Sequence, residues 1–248
     1  MLNKINSKYI LQNIISYLSS KKFLLICKHN NNLQKRLEIS KNDYIKYNQI
    51  EIDIIPVEFE KNVNKQAIIN YLSVEKAYYH IFINDKEVKR RNYTKKNNFS
   101  KKIKIVIQKE IKSLKRLFYN CKYIKEVNFV KFNRIDILDM SYMFYHCENL
   151  ENINFYNFKT NNVINMNSMF SGCKKLQQLN VSNFDTHHVY TMEHMFSLCS
   201  SLIDLDITNF YIDPNTYIDD IFEGCTIELK DKIKQQNKKL PKRVFGYF

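Results

Sequence analysis

From residue 117 onward the apolar positions fall on a fixed ruler. The segments LFYNC at 117–121, MFYHC at 143–147, MFSGC at 169–173, MFSLC at 195–199 and IFEGC at 221–225 are spaced 26 residues apart, so that Cys121, Cys147, Cys173, Cys199 and Cys225 form one column. Other columns keep step: Phe118, Phe144, Phe170, Phe196 and Phe222; Ile124, Leu150, Leu176 and Leu202; Phe132, Phe158, Phe184 and Phe210. A period of this length is the mark of stacked repeats, each too small to bury its own apolar stripe.

Within one unit, Val163, Met166, Met169, Phe170 and Cys173 follow intervals of three, three, one and three, which predicts a helix with one apolar face. Leu176, Leu179 and Val181 then follow an L-x-x-L-x-L spacing whose last part alternates as a strand does. Asn183-Phe184-Asp185-Thr186 supplies turn chemistry, with Asp185 or Thr186 as the N-cap of the next helix. The predicted fold is α/β: a leucine-rich-repeat-like solenoid of 26-residue helix-strand coils with a parallel sheet. A small helical head and a capping β-hairpin precede it. The expected divisions are a head at 1–45, a linker and hairpin at 46–110, repeats at 111–225, and a closing helix and tail at 226–248. In the head, Ile10, Leu11, Ile14, Ile15 and Leu18 keep helical spacing. AYYHIFI and KIKIVI are the two arms of the hairpin, which would cover the open edge of the first coil.

NVINMNSMFSGCKKLQQLNVSNFDT at 162–186 and HVYTMEHMFSLCSSLIDLDITNF resemble the BspA-like leucine-rich repeats of bacterial surface lipoproteins and many protists. The pattern in question is the subtype N-V-x-x-M-x-x-M-F-x-x-C-x-x-L-x-x-L-x-L. The resemblance covers residues 117–225 and implies a binding surface without catalytic residues. The first unit is looser, with Leu114 and Leu117 at the Met positions. The head is similar to an F-box in its small size and its I-x-x-Y-L element, but it lacks the usual Leu-Pro opening. That resemblance implies an alternative role as the substrate adaptor of a ubiquitin ligase.

Composition changes this picture little. The chain is 44% hydrophobic and long enough to bury a core, while abundant Lys and Asn make single residues of those types poor evidence. The net charge of +14 is unevenly spread, with nets of +15 over 1–116, −6 over 117–225 and +5 over 226–248. The repeat itself is therefore mildly acidic. The basic run from Lys86 to Lys104, with Tyr93 and Phe99 interleaved, is the candidate patch for nucleic acid or an anionic membrane, against a plain solvated loop. No secretory signal and no transmembrane segment are expected, which makes the cytoplasm or nucleus the default compartment.

No spacing supplies a nucleophile, a base or a metal site, so no enzymatic activity and no cofactor are expected. One cysteine per coil on an apolar stripe reads as small buried hydrophobes rather than zinc ligands. His187, His188 and His194 read as surface variation. Candidate partner-binding residues are instead those between the buried positions of the strands: Glu126, Asn152, Gln178 and Asp204 in one column, and Asn128, Asn154, Asn180 and Asp206 in the next, with Tyr156 and Ser182 beyond. The expected function is a non-enzymatic protein-protein interaction module that presents a rigid repeat surface to a protein partner.

Overall fold

A computed structural model describes residues 27, 30–58, 65–70, 79–88, 93–95, 102–108, 111–156 and 158–246. The chain divides into two units, Met1–Gln49 and Ile50–Phe248. In the first, α1 (Asn31–Arg36) begins at Asn30, whose Oδ1 accepts the Leu33 N–H at 3.1 Å. It is followed by α2 (Lys41–Asn48), which begins at Ser40. The helical spacing expected over residues 10–18, and the F-box-like element with it, lies outside the described residues.

The second unit overturns the predicted helix-strand solenoid. Its strands are β1 (Ile50–Pro56), β2 (Lys65–Ala67), β3 (Tyr79–Ile83), β4 (Lys86–Glu87), β5 (Tyr93–Lys95), β6 (Ile103–Ile107), β7 (Ile124–Lys131), β8 (Asn152–Asn154), β9 (Gln178–Leu179) and β10 (Asp204–Leu205). Six of them form a mixed sheet in the order β4-β3-β6-β1-β7-β8, in which only the β7–β8 pairing is parallel. The short parallel pair β9–β10 stands apart from it. A continuous parallel sheet is therefore absent from the described residues. β3 pairs antiparallel with β6, but β1, from a segment expected to be linker, lies between β6 and β7. Its alternation Ile50, Ile52, Ile54 buries one face completely.

The predicted repeat helices do not form either. The only described helix beyond residue 49, besides a short 3₁₀ turn at Lys242–Phe245, is α3 (Ile227–Gln236), which is capped by Thr226. In place of each repeat helix stands a run of overlapping turns with an alternating hydrogen-bond rule. In the first run, Leu117, Tyr119 and Cys121 donate to the carbonyls three residues back. Leu114, Arg116, Phe118 and Asn120 donate instead to Asp139, Ser141, Met143 and Tyr145, which belong to the next run along the chain. The same alternation recurs from Met140, Met166 and Met192. An α-helix would spend every amide on the carbonyl four residues back and leave none to bond sideways.

Bending the chain this way requires left-handed backbone at two places per run. Arg116 and Asn120, Tyr142 and His146, Ser168 and Gly172, His194 and Leu198, and Asp220 and Gly224 all have φ between +52° and +76°. For residues other than glycine this conformation costs about 1–2 kcal/mol each, offset here by the bonds to the next run. At Gly224 a side chain would also press on the preceding run. A methyl group there would come within 2.7 Å of Leu198 Cδ2, the end of a flexible side chain that would have to shift.

Stacking in register turns the sequence columns into ladders. The rings of Phe118, Phe144, Phe170, Phe196 and Phe222 stack at 5.2–5.8 Å, and the series closes on Phe245 of the 3₁₀ turn. The thiols of Cys147, Cys173, Cys199 and Cys225 lie 3.0–3.2 Å from the carbonyls of Phe118, Phe144, Phe170 and Phe196, to which they donate. Thr186 does not cap a helix as expected. Its buried hydroxyl donates to the Tyr211 carbonyl and accepts the Tyr211 N–H, both at 2.8 Å, and Thr160 does the same for Asp185.

Among the described residues no helix is long and apolar enough to cross a membrane.

Candidate functional site

Of the candidate residues between the buried strand positions, all but the half-buried Glu126 are exposed, and those within β7–β10 pair in two separate ladders rather than one sheet. Glu126 is the register partner of Asn152, Asn128 of Asn154, and Gln178 of Asp204. The repeat period could not supply their other neighbours: Asn128 also pairs with Asp53, and Glu126 with Ile55, across the antiparallel β1–β7 ladder. Lys102 Nζ lies 2.7 Å from Asp53 Oδ2 and so brings a paired cation to the rim. Asp53, Ile55, Lys102, Glu126, Asn128 and Asn152 line a shallow groove of about 360 Å³.

A second groove, also of about 360 Å³, opens where no ladder joins β8 to β9. Tyr156, Lys159, Asn154, Asn180, Ser182 and Asn183 line it. Tyr156 is 70% exposed, the most exposed aromatic side chain among the described residues. Its backbone is held, because the Tyr156 N–H donates to Asn154 Oδ1 at 2.9 Å. Ser182 and Thr208 donate in the same way to Asn180 Oδ1 and Asp206 Oδ1. These bonds to the Asp206 carboxylate, the backbone N–H of Thr208 first among them, hold its pKa below the usual aspartate value. Asn154, Asn180 and Asp206 thus serve the turns that shape the face as well as lining it.

The floor of this groove is tied to the preceding repeat by Asn183, whose Nδ2 donates to the carbonyls of Phe155 at 2.8 Å and Phe158 at 3.2 Å. Asn209, 26 residues on, makes a related pair of bonds, to the carbonyls of Ser182 at 2.8 Å and Phe184 at 3.3 Å. The column of Asn before Phe is visible in the sequence, where it reads only as turn chemistry. Lys159 follows no column, and nothing in the spacing singles it out.

The other candidates do not converge on this face. His187 Nδ1 sits 2.8 Å from Asp185 Oδ1 with its ring stacked on Tyr211, His188 is exposed, and His194 faces Glu223. Much of the basic run, including Phe99, lies outside the described residues, and nothing is described of the Tyr93 side chain. Of the lysines described there, Lys102 and Lys104 pair with Asp53 and Glu51 of β1. All five column cysteines are buried and free.

Residues 112–236 match the model of a family described as "Mycoplasma protein of unknown function, DUF285". No curated protein matches the chain. No solved structure matches it either.

Proposed function

Because the chain belongs to the DUF285 family, whose description assigns no activity, we propose its role from its own surface: a non-enzymatic module that binds a protein partner on the polar strand face. The observation that carries this reading is Tyr156, a 70% exposed ring standing in a groove lined by amide and hydroxyl groups. Exposed tyrosines with a polar rim are the residues on which protein interfaces concentrate their energy. The turns around it are preformed by hydrogen bonds, so docking would order little backbone and lose little entropy. The resemblance of the repeat to BspA-like repeats supports a binding role over a catalytic one. The acidic balance of residues 117–225 favours a partner segment with basic or neutral polar side chains.

The test is affinity capture of partners by the full-length chain, followed by binding measurements on Tyr156→Ala. Losing a central tyrosine should weaken partner binding by about 2 kcal/mol, roughly thirtyfold, with the melting temperature unchanged. Substituting Tyr156 alone keeps the comparison clean, since Asn154 also holds the turn. Equal affinity of the two proteins would remove this groove from the function.

A further inference from the structure

We propose that His194, Asp220 and Glu223 form a binding site for a divalent transition-metal ion of the zinc or manganese class, and that the ion ties the last two turn runs together. One ligand atom from each residue can be chosen so that all three lie within 4.8 Å of one another, and His194 Nδ1 is 3.8 Å from Glu223 Oε2. Metal–ligand bonds of about 2.0–2.2 Å in a tetrahedral shell place ligand atoms about 3.3–3.6 Å apart, so closure onto an ion needs side-chain movements of about 1 Å. One imidazole and two carboxylates match a borderline dication better than calcium, which prefers an all-oxygen shell. Two negative charges and a neutral imidazole also balance the charge of such an ion.

The three side chains stand on backbone that is already fixed. His194 and Asp220 occupy the same left-handed position in successive runs, with φ of 54° and 56°. The N–H of His194 donates to the Asp219 carbonyl at 3.0 Å, that of Asp220 to the Arg243 carbonyl at 2.9 Å, and that of Glu223 to the Asp220 carbonyl at 3.1 Å. Glu223 is further held by the Ser197 hydroxyl, 3.4 Å from Oε2, and its stem packs against Gly246, where a methyl group would come within 3.2 Å of Cγ. The guanidinium of Arg243, a cation on this cap, lies 2.9 Å from Asp219 Oδ1 and is occupied there. The cluster is not a by-product of the repeat. The positions equivalent to His194 are Arg116, Tyr142 and Ser168, and those equivalent to Glu223 are Tyr119, Tyr145, Ser171 and Ser197.

The experiment is calorimetric titration of the chelator-treated full-length protein with zinc chloride, with thermal melts alongside and cobalt absorption to report the ligand set. The expected result is one saturable zinc per chain, a melting temperature that rises with zinc, and a cobalt spectrum free of thiolate charge transfer. His194→Ala and Glu223→Gln should each weaken binding at least tenfold, whereas His187→Ala should not. Glu223→Gln preserves side-chain size and the bond from Ser197, so it tests the site even if His194→Ala folds poorly. Absence of saturable zinc binding, equal affinity in Glu223→Gln, a loss on His187→Ala, or thiolate bands with cobalt would each overturn the proposal.

Discussion

Taken from pH 7 to pH 10, the protein should lose stability through its cysteine column, by up to about 2 kcal/mol per thiol, because each buried thiol stays protonated where its unfolded counterpart ionises. Burial pushes the pKa of Cys121, Cys147, Cys173 and Cys199 well above the ordinary thiol value, and that of Cys225 up to about 11. In the unfolded chain these thiols ionise near pH 8.5. Above that pH the unfolded state binds fewer protons than the native state, so stability falls as pH rises, until the native thiols ionise in their turn, Cys225 at about pH 11. Each thiol then contributes a loss of up to about 2 kcal/mol at pH 10. Urea unfolding at the two pH values measures the total pH dependence, and comparison with Cys173→Ala isolates the share of one thiol. In Cys173→Ala the pH-dependent part should shrink by that share, up to about 2 kcal/mol, whatever that substitution costs at pH 7. Identical pH dependence in the two proteins would mean that the column does not stay protonated in the native state.

Phe170→Ala should destabilise the protein by about 3–5 kcal/mol, as large-to-small changes in a closed core do. Phe170 is fully buried between Phe144 and Phe196, both at 5.6 Å and nearly parallel, with Phe155 meeting it edge-on at 5.9 Å. Its removal breaks the ladder at its centre, where neighbours on both sides are fixed by hydrogen bonds between runs and cannot collapse into the gap. Denaturant unfolding at pH 7 measures the change. A cost below about 1 kcal/mol, less than a closed aromatic site loses on truncation, would contradict the stacked arrangement of the rings.

The columns of Phe, Cys and Leu announce in the sequence which side chains are buried, because stacking at a fixed period turns identity along the chain into contact in space. They do not announce how the backbone makes the stack. Intervals of three, three, one and three suit consecutive three-residue turns as well as a helix, and only the alternate lateral hydrogen bonds and the left-handed residues separate the two. β1 escapes a reading of the sequence for a different reason. Ile50–Pro56 alternates plainly, but its partners lie near residues 105 and 127, and no local pattern or repeat connects them. The outward columns are legible in the same way as the inward ones, while the groove around Tyr156 is not, since it depends on a missing ladder between β8 and β9 and on Lys159. His194, Asp220 and Glu223 meet only because successive turn runs stack, and each looks ordinary in its own turn.

We propose that a partner docks on the strand face, above all at the groove around Tyr156. Hydrogen–deuterium exchange of the full-length protein, alone and with its captured partner, tests it most directly. Binding should slow exchange over residues 152–156 and 178–183 and leave the turn run at 141–147 unaffected. Protection confined to the turn runs or to residues 79–107, with the groove unchanged, would contradict it.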